Sequence, residues 1–132
     1  ALALTLSPSL AVQPQDAAAA EQMAASEAEE AAREWLALVE SGDWQASWNG
    51  TAQSFRDLNT LEGWTAAAQG AHGPLGESLS RVLESAEEVP APPQGYTLVK
   101  FRTQFANRAD VVETLALVQE DGEWRIAGIY IS

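Results

Sequence analysis

The fold is decided by residues 96–132, whose sequence is YTLVKFRTQFANRADVVETLALVQEDGEWRIAGIYIS. The stretch is rich in β-branched and aromatic residues, and turn residues interrupt it at Asn107-Arg108 and at Asp121-Gly122. Asp-Gly between two apolar runs is typical of a type I′ turn in a two-residue β-hairpin. The sequence therefore predicts three consecutive antiparallel strands over residues 96–105, 111–119 and 124–131.

Upstream of these strands, the pattern predicts one more strand and three helices. Residues 79–87 alternate well enough for a strand, and a loop with three prolines follows over residues 89–95. The first helix is expected from about Ala17 to Gly42, where glycine can take the left-handed conformation. Asp43 is expected to cap the second helix, and Asn59 is expected to begin the third.

These elements predict an α+β domain in which three N-terminal helices pack on one face of a four-stranded antiparallel meander sheet. A two-residue turn at Asp121-Gly122 sets the register of the last hairpin. We take Phe105 to lie opposite Asp110 in the preceding hairpin. The helix-covered face then carries Val99, Phe101, Thr114, Ala116, Ala127, Ile129 and Ile131. The opposite face then carries Leu98, Lys100, Arg102, Glu113, Leu115, Leu117, Trp124, Ile126 and Tyr130.

The length of 132 residues leaves room for one small domain with a single core. Residues 1–11 are apolar, rich in small residues and too short to cross a bilayer, and they end in Ser9-Leu10-Ala11. This pattern is typical of the end of a secretory signal peptide; a disordered chain end is the alternative. We predict a signal remnant and linker over residues 1–16, a domain over residues 17–132, and a periplasmic or secreted location without a membrane span.

The composition excludes several functional classes. The formal net charge is −12, so phosphate backbones are repelled and nucleic acid is not an expected partner. The chain has no cysteine and a single histidine, which excludes disulfides, thiolate nucleophiles and cysteine-ligated metals. We expect neither a metal site nor a cofactor.

One polar group of residues stands out on the predicted sheet. Arg102, Glu113 and Tyr130 would lie in a row across three strands. A cross-strand ion pair with a hydroxyl neighbour is the simpler interpretation. The alternative is a pocket carboxylate whose proton affinity Arg102 and Tyr130 adjust for catalysis.

Several large side chains are candidate contacts for a ligand or partner. The helix tryptophans Trp35, Trp48 and Trp64 could line a ligand cavity, although their helical spacing is also typical of a core. The sheet face opposite the helices is more apolar than a solvated face, which indicates a contact surface for a second copy or a partner protein. The contact residues expected on it are Leu98, Arg102, Leu115, Leu117 and Trp124.

Residues 32–132 resemble the bacterial family known as domain of unknown function four-zero-one-nine. The motifs that carry the resemblance are Trp35-Leu36, Gly42-Asp43-Trp44, Pro74-Leu75-Gly76, Ser80-Arg81, Phe101-Arg102-Thr103-Gln104-Phe105 and Trp124-Arg125-Ile126-Ala127-Gly128. The resemblance implies a small exported protein without an assigned activity. It also implies a layout similar to the cone-shaped fold of nuclear transport factor, polyketide cyclases and steroid isomerases. Where the family tends to have Arg two positions before the Pro-Leu-Gly motif, this chain has His72, which is expected at a helix end, either exposed or facing the helix dipole.

Two functional hypotheses follow. The first is a non-catalytic exported module that binds a small apolar ligand or a protein partner. The second is a cofactor-free lyase, isomerase or hydrolase that uses a carboxylate in the cone. The first is favoured because the pattern places only Glu113 in a plausible catalytic position.

Overall fold

The structure is a computed structural model that describes residues 14–91 and 95–132. The described residues form the helices α1 (Pro14–Glu40), α2 (Trp44–Asn49), α3 (Gln53–Leu58) and α4 (Leu61–His72), and a 3₁₀ helix at Gly73–Leu75. The strands β1 (Ser78–Val89), β2 (Tyr96–Phe105), β3 (Arg108–Glu120) and β4 (Glu123–Ile131) follow. They form one antiparallel sheet in the order β1-β2-β3-β4, which confirms the predicted α+β class. The predicted signal remnant at residues 1–11 lies outside the described residues.

Helix α1 is amphipathic along its C-terminal half. Its buried residues recur at three- and four-residue spacing and are Ala28, Ala32, Trp35, Leu36 and Val39. Helix α1 begins at Pro14, so the chain is already helical at residues 14–16. Proline is tolerated there because the backbone N–H groups of the first helical turn have no partner within the helix. Gly42 follows the helix with a φ of 75°, as predicted. None of the helices within residues 14–91 and 95–132 is both long and apolar enough to cross a membrane.

The second predicted helix is split into α2 and α3. Asp43 caps α2, as predicted, by accepting a hydrogen bond from the Ala46 N–H at 3.2 Å. After α2 the chain becomes extended: the Ala52 N–H donates to the Ile126 carbonyl at 2.7 Å, and the Ile126 N–H donates to the Gly50 carbonyl at 2.9 Å. The segment therefore shields part of the open edge of β4 before the chain turns into α3.

The N-cap of helix α4 lies one residue later than predicted. Thr60 accepts a hydrogen bond from the Gly63 N–H at 3.0 Å, whereas the Asn59 side chain donates to the Phe55 carbonyl at 2.9 Å. Asn59 thus closes α3, and Thr60 is the N-cap of α4.

The last hairpin has the predicted tight turn. Asp121 and Gly122 have φ angles of 54° and 80°, the positive values that a type I′ turn requires. Gln119 lies opposite Trp124, as predicted.

Two β-bulges change the register beyond the turns. Ala109 and Asp110 together oppose Gln104, and Asp110 takes a φ of 55°. Ala127 is an extra residue in β4, between the pairs Leu117–Ile126 and Ala116–Gly128. Each bulge moves the following pairs by one residue and exchanges their faces.

The predicted faces are therefore right for part of the sheet and wrong for the rest. We call the side packed on α1 the inner face and the other side the outer face. Val99, Phe101, Ile129 and Ile131 lie on the inner face, as predicted. The prediction was wrong for β3 and the start of β4, because the inner face carries Glu113, Leu115, Leu117 and Ile126, and the outer face carries Thr114 and Ala116. Trp124 packs against the core rather than lying on the outer face.

The main core lies between the helices and the inner face. The helices contribute Trp35, Leu36 and Trp64, and the sheet contributes Val99, Phe101, Leu115, Leu117 and Ile126. A smaller cluster of Leu75, Phe105 and Val111 packs beside it.

Candidate functional site

The predicted row of Arg102, Glu113 and Tyr130 is not formed. Glu113 lies opposite Phe101 on the inner face, and its exposed fraction is 0%. Arg102 and Tyr130 lie opposite Val112 and Thr114, so both belong to the outer face and are exposed. The pairing of Phe105 with Asp110 was wrong, because Phe105 lies opposite Arg108. The bulges at Asp110 and Ala127 then reverse the faces, since each adds a residue that the predicted register did not count.

The Glu113 carboxylate is held by an arginine from β1 instead. Arg81 Nε donates to Glu113 Oε1 at 2.8 Å, and Arg81 Nη2 donates to Oε2 at 3.2 Å. The Thr103 hydroxyl, which is also buried, donates to Glu113 Oε1. Three donors from two neighbouring strands thus neutralise and orient a carboxylate that water does not reach.

Arg81 also joins the sheet to the end of α1. Its Nη2 atom donates to Glu40 Oε1, and the other oxygen of Glu40 accepts from the Ser78 hydroxyl at 2.9 Å. Burial by itself lowers the pKa of Arg81, but the hydrogen bonds to Glu113 and Glu40 outweigh it, and the pKa is raised above its usual value. The guanidinium is therefore fixed between two carboxylates.

His72 is the last residue of α4 and lies close enough to this ion-pair cluster for its charges to affect the pKa of the imidazole. Burial lowers the pKa of His72, the carboxylates of Glu113 and Glu40 oppose that change, and Arg81 adds to it. Within the described residues, His72 Nδ1 is buried without a hydrogen-bond partner. His72 thus lies at the helix end, as expected, but it is half-buried beside charged groups rather than exposed.

Residues 31–129 match the model of a family described as a protein of unknown function, DUF4019. The chain belongs to the DUF4019 family. The matched span contains every member of the ion-pair cluster, from Glu40 to Glu113, and all of α4. No curated protein and no solved structure matches the chain.

In this DUF4019 domain, the geometry around Glu113 suits a structural ion pair better than a catalytic carboxylate. A general base must reach the proton that it removes, and Glu113 is completely enclosed. Its oxygens already accept hydrogen bonds from Arg81 and Thr103. Among the described residues, no group of three or more His, Cys, Asp or Glu side chains is placed to hold a metal ion.

Sequence reasoning missed Arg81, Glu40 and Thr103 as partners of Glu113. A signal for the correct face was present in β3, where Val111, Leu115 and Leu117 share the parity of Glu113. An apolar set at every second position is typical of a buried face, and that pattern would have placed Glu113 inside. No local pattern points to Glu40, since 41 residues separate it from Arg81.

The tryptophans that were candidate ligand contacts pack against other core side chains. The ring centroids of Trp35 and Trp64 lie 5.3 Å apart, and Phe55 packs edge-on against Trp64 at 5.6 Å. Trp35 Nε1 donates to the Ser47 carbonyl at 2.8 Å, and Trp64 Nε1 donates to the Ser47 hydroxyl at 2.9 Å. Trp48 packs on Phe55 at 6.2 Å. These contacts give the rings a core role.

The candidate contacts on the sheet are divided between its two faces. Leu98 and Arg102 lie on the outer face, and Arg102 pairs with Glu84 at 2.9 Å. Leu115 and Leu117 are buried on the inner face. The outer face still carries large exposed apolar residues: Tyr130, which was predicted there, and Val82, Val89 and Tyr96.

Proposed function

We propose that this chain is an exported, non-catalytic interaction module whose outer sheet face binds a second copy of the same chain. The location is supported by the apolar residues 1–11, which have the pattern of a signal-peptide end. The layout of helices on one face of an antiparallel sheet also fits the cone-shaped fold.

The observation that carries the proposal is the exposed apolar surface of the outer face. Among the described residues, seven large hydrophobic side chains are exposed, and four of them lie on this face: Val82, Val89, Tyr96 and Tyr130. An antiparallel sheet with one covered face normally presents polar residues to water on the other. A concentration of apolar side chains there marks an interaction surface.

An apolar groove extends this surface toward α3. The groove has a volume of about 400 Å³ and lies between the helix and the outer face. Its walls include Leu58 from the helix and Leu98, Ala116 and Ala127 from the sheet. This groove is a depression into which a partner's side chains can pack.

The outer face itself is locally self-complementary in charge, which suits a second copy as the partner. The outer face and its β1 border carry both signs, with Lys100 and Arg102 beside Glu84 and Glu87. A two-fold axis places the same patch on both copies, so cations of one copy can meet carboxylates of the other. Strands about 4.8 Å apart and about ten residues long make a face of roughly 600 Å². Two such faces bury roughly 1,200 Å², the low end for a specific dimer.

Light scattering on Val82→Lys tests the proposal. We expect the wild type to be a dimer and Val82→Lys to be a monomer, because a lysine within the apolar contact area introduces a charge that the dimer would have to desolvate. Met23→Lys is the matched control: Met23 on α1 is 65% exposed, close to the 63% of Val82, but lies away from the outer face. A wild type that stays monomeric, or a Val82→Lys protein that stays dimeric with Met23→Lys, would contradict the proposal.

A further inference from the structure

A cavity of about 700 Å³ lies at the end of the sheet near the β1–β2 connection, where residues of α1 and of both sheet faces line it. The residues that matter for its chemistry are Ala24, Glu88, Val89, Tyr96, Leu117 and Trp124. Its volume is within the range of small-molecule sites, roughly 300 to 1,000 Å³.

The cavity exists because α1 presents small side chains at this level. The buried seam of α1 carries Trp35 and Leu36 near its C-terminal end, but Ala28 one turn after Ala24. An alanine leaves space that a leucine or tryptophan would fill. On the sheet side, Leu117 and Trp124 belong to the inner face, whereas Val89, Tyr96 and Val118 belong to the outer face, so the cavity extends around the ends of the strands.

The charge of the cavity lining is negative only. Glu88 is its only charged residue among those described, and no Lys or Arg lines the cavity. Glu88 lies opposite Thr97, which puts it on the inner side of the sheet at the cavity mouth. Within the described part of the chain, the Glu88 carboxylate makes no ion pair or side-chain hydrogen bond, unlike Glu84 and Glu113.

We infer that this cavity binds an apolar molecule with a positively charged end, such as a long-chain amine or quaternary ammonium. The hydrocarbon part lies along Val89, Tyr96 and Trp124, the large apolar lining residues that water reaches, and its binding removes apolar surface from water. The cation lies at Glu88, and Trp124 offers an aromatic wall, which also favours cations. An anionic amphiphile finds no counter-charge here and meets a protein with a formal charge of −12. The cavity shares Val89 and Tyr96 with the outer face, so ligand binding and light scattering test the two proposals separately.

Calorimetric titration with three ten-carbon molecules tests the charge preference. The molecules are decyltrimethylammonium, decanol and decanoate, each kept below the concentration at which it aggregates. We expect the ammonium compound to bind most tightly, decanol less tightly and decanoate least. Glu88→Gln should weaken only the ammonium compound, by roughly two- to fivefold, the size of a partly solvated ion pair.

Glu87→Gln is the matched control for the charge. Glu87 is the neighbouring exposed residue of β1, but it lies opposite Leu98 on the outer face. Glu87→Gln changes the net charge by the same amount as Glu88→Gln. The inference is overturned if both variants weaken binding equally, or if decanoate binds as tightly as the ammonium compound.

Ala24→Trp tests the location. A tryptophan at this position fills the cavity and should abolish binding of decyltrimethylammonium and decanol alike. Ala66→Trp, on the exposed face of α4, controls for the added aromatic ring. Thermal melts of both variants establish that they are folded, and Glu88→Gln keeps the test decisive if Ala24→Trp is not. Unchanged binding in a folded Ala24→Trp protein overturns the inference.

Discussion

Glu113 is central to the structure, but it is too enclosed to act as a catalytic group. It lies on the inner face among apolar residues, where an unpaired carboxylate would be strongly unfavourable. Arg81 and Thr103 supply hydrogen bonds to both of its oxygens. Because Arg81 also binds Glu40, this one carboxylate is part of the link between α1, β1 and β3.

Removal of this carboxylate should destabilise the fold. We expect Glu113→Ala to lower the free energy of unfolding by about 3–5 kcal/mol, because it leaves the buried Arg81 with only part of its counter-charge. The value should lie toward the lower end, since Glu40 remains. Urea unfolding followed by tryptophan fluorescence measures the change. Glu84→Ala is the control, since its ion pair with Arg102 is exposed and should contribute less than about 1 kcal/mol. Equal losses in the two variants would mean that the Glu113 pair has no special structural role.

At the scale of elements, the bulge in β3 decides which residues face the core. Gln104 holds it from the neighbouring strand: its side-chain Oε1 accepts from the Asp110 N–H at 3.1 Å, and its Nε2 donates to Asp110 Oδ1 at 3.1 Å. Asp110 itself adopts a left-handed φ of 55°, which Asp tolerates better than most residues.

Substitution of Asp110 should therefore depend on backbone preference. We expect Asp110→Val to lower the free energy of unfolding by about 1–3 kcal/mol, since a β-branched residue is strained at positive φ. Asp110→Gly should cost less than Asp110→Val, because glycine adopts this conformation without strain and only the side-chain hydrogen bond is lost. Urea unfolding of the two variants measures the difference. If Asp110→Gly proves the more damaging, strain at the positive φ of residue 110 does not decide the stability of the variants.

The same bulges mark the limit of what the sequence could predict. The strand β2 and the turn at Asp121-Gly122 were predicted correctly because their signals are local: alternation in one case, an Asp-Gly pair in the other. The bulge at Ala127 has no such signal. It lies next to Ile126, whose backbone pairs with Gly50 and Thr51–Ala52, some 75 residues earlier in the chain. Glu113 was thus identified as notable, but its face and its partner were not.

At the scale of the whole molecule, charge and apolar surface act against each other. The formal charge of −12 makes two copies repel, whereas the outer face offers apolar surface and a few opposite charges for contact. Repulsion between two net charges of this size extends over a Debye length. A local exposed pair, such as Lys100 or Arg102 with a carboxylate, is worth about 1 kcal/mol at most.

The proposed dimer should therefore become tighter as salt is added. Between about 0.01 M and about 1 M salt the Debye length falls from about 30 Å to about 3 Å, so the long-range repulsion is removed while the apolar contact remains. We expect the dimer dissociation constant to fall at least about tenfold over this range, measured by sedimentation or light scattering. Val82→Lys, followed in parallel, should stay monomeric at every salt concentration, which separates a specific dimer from general salting-out. A dimer that dissociates as salt rises would show instead that ion pairs of Lys100 and Arg102 across the interface outweigh both the net repulsion and the burial of Val82 and Tyr130.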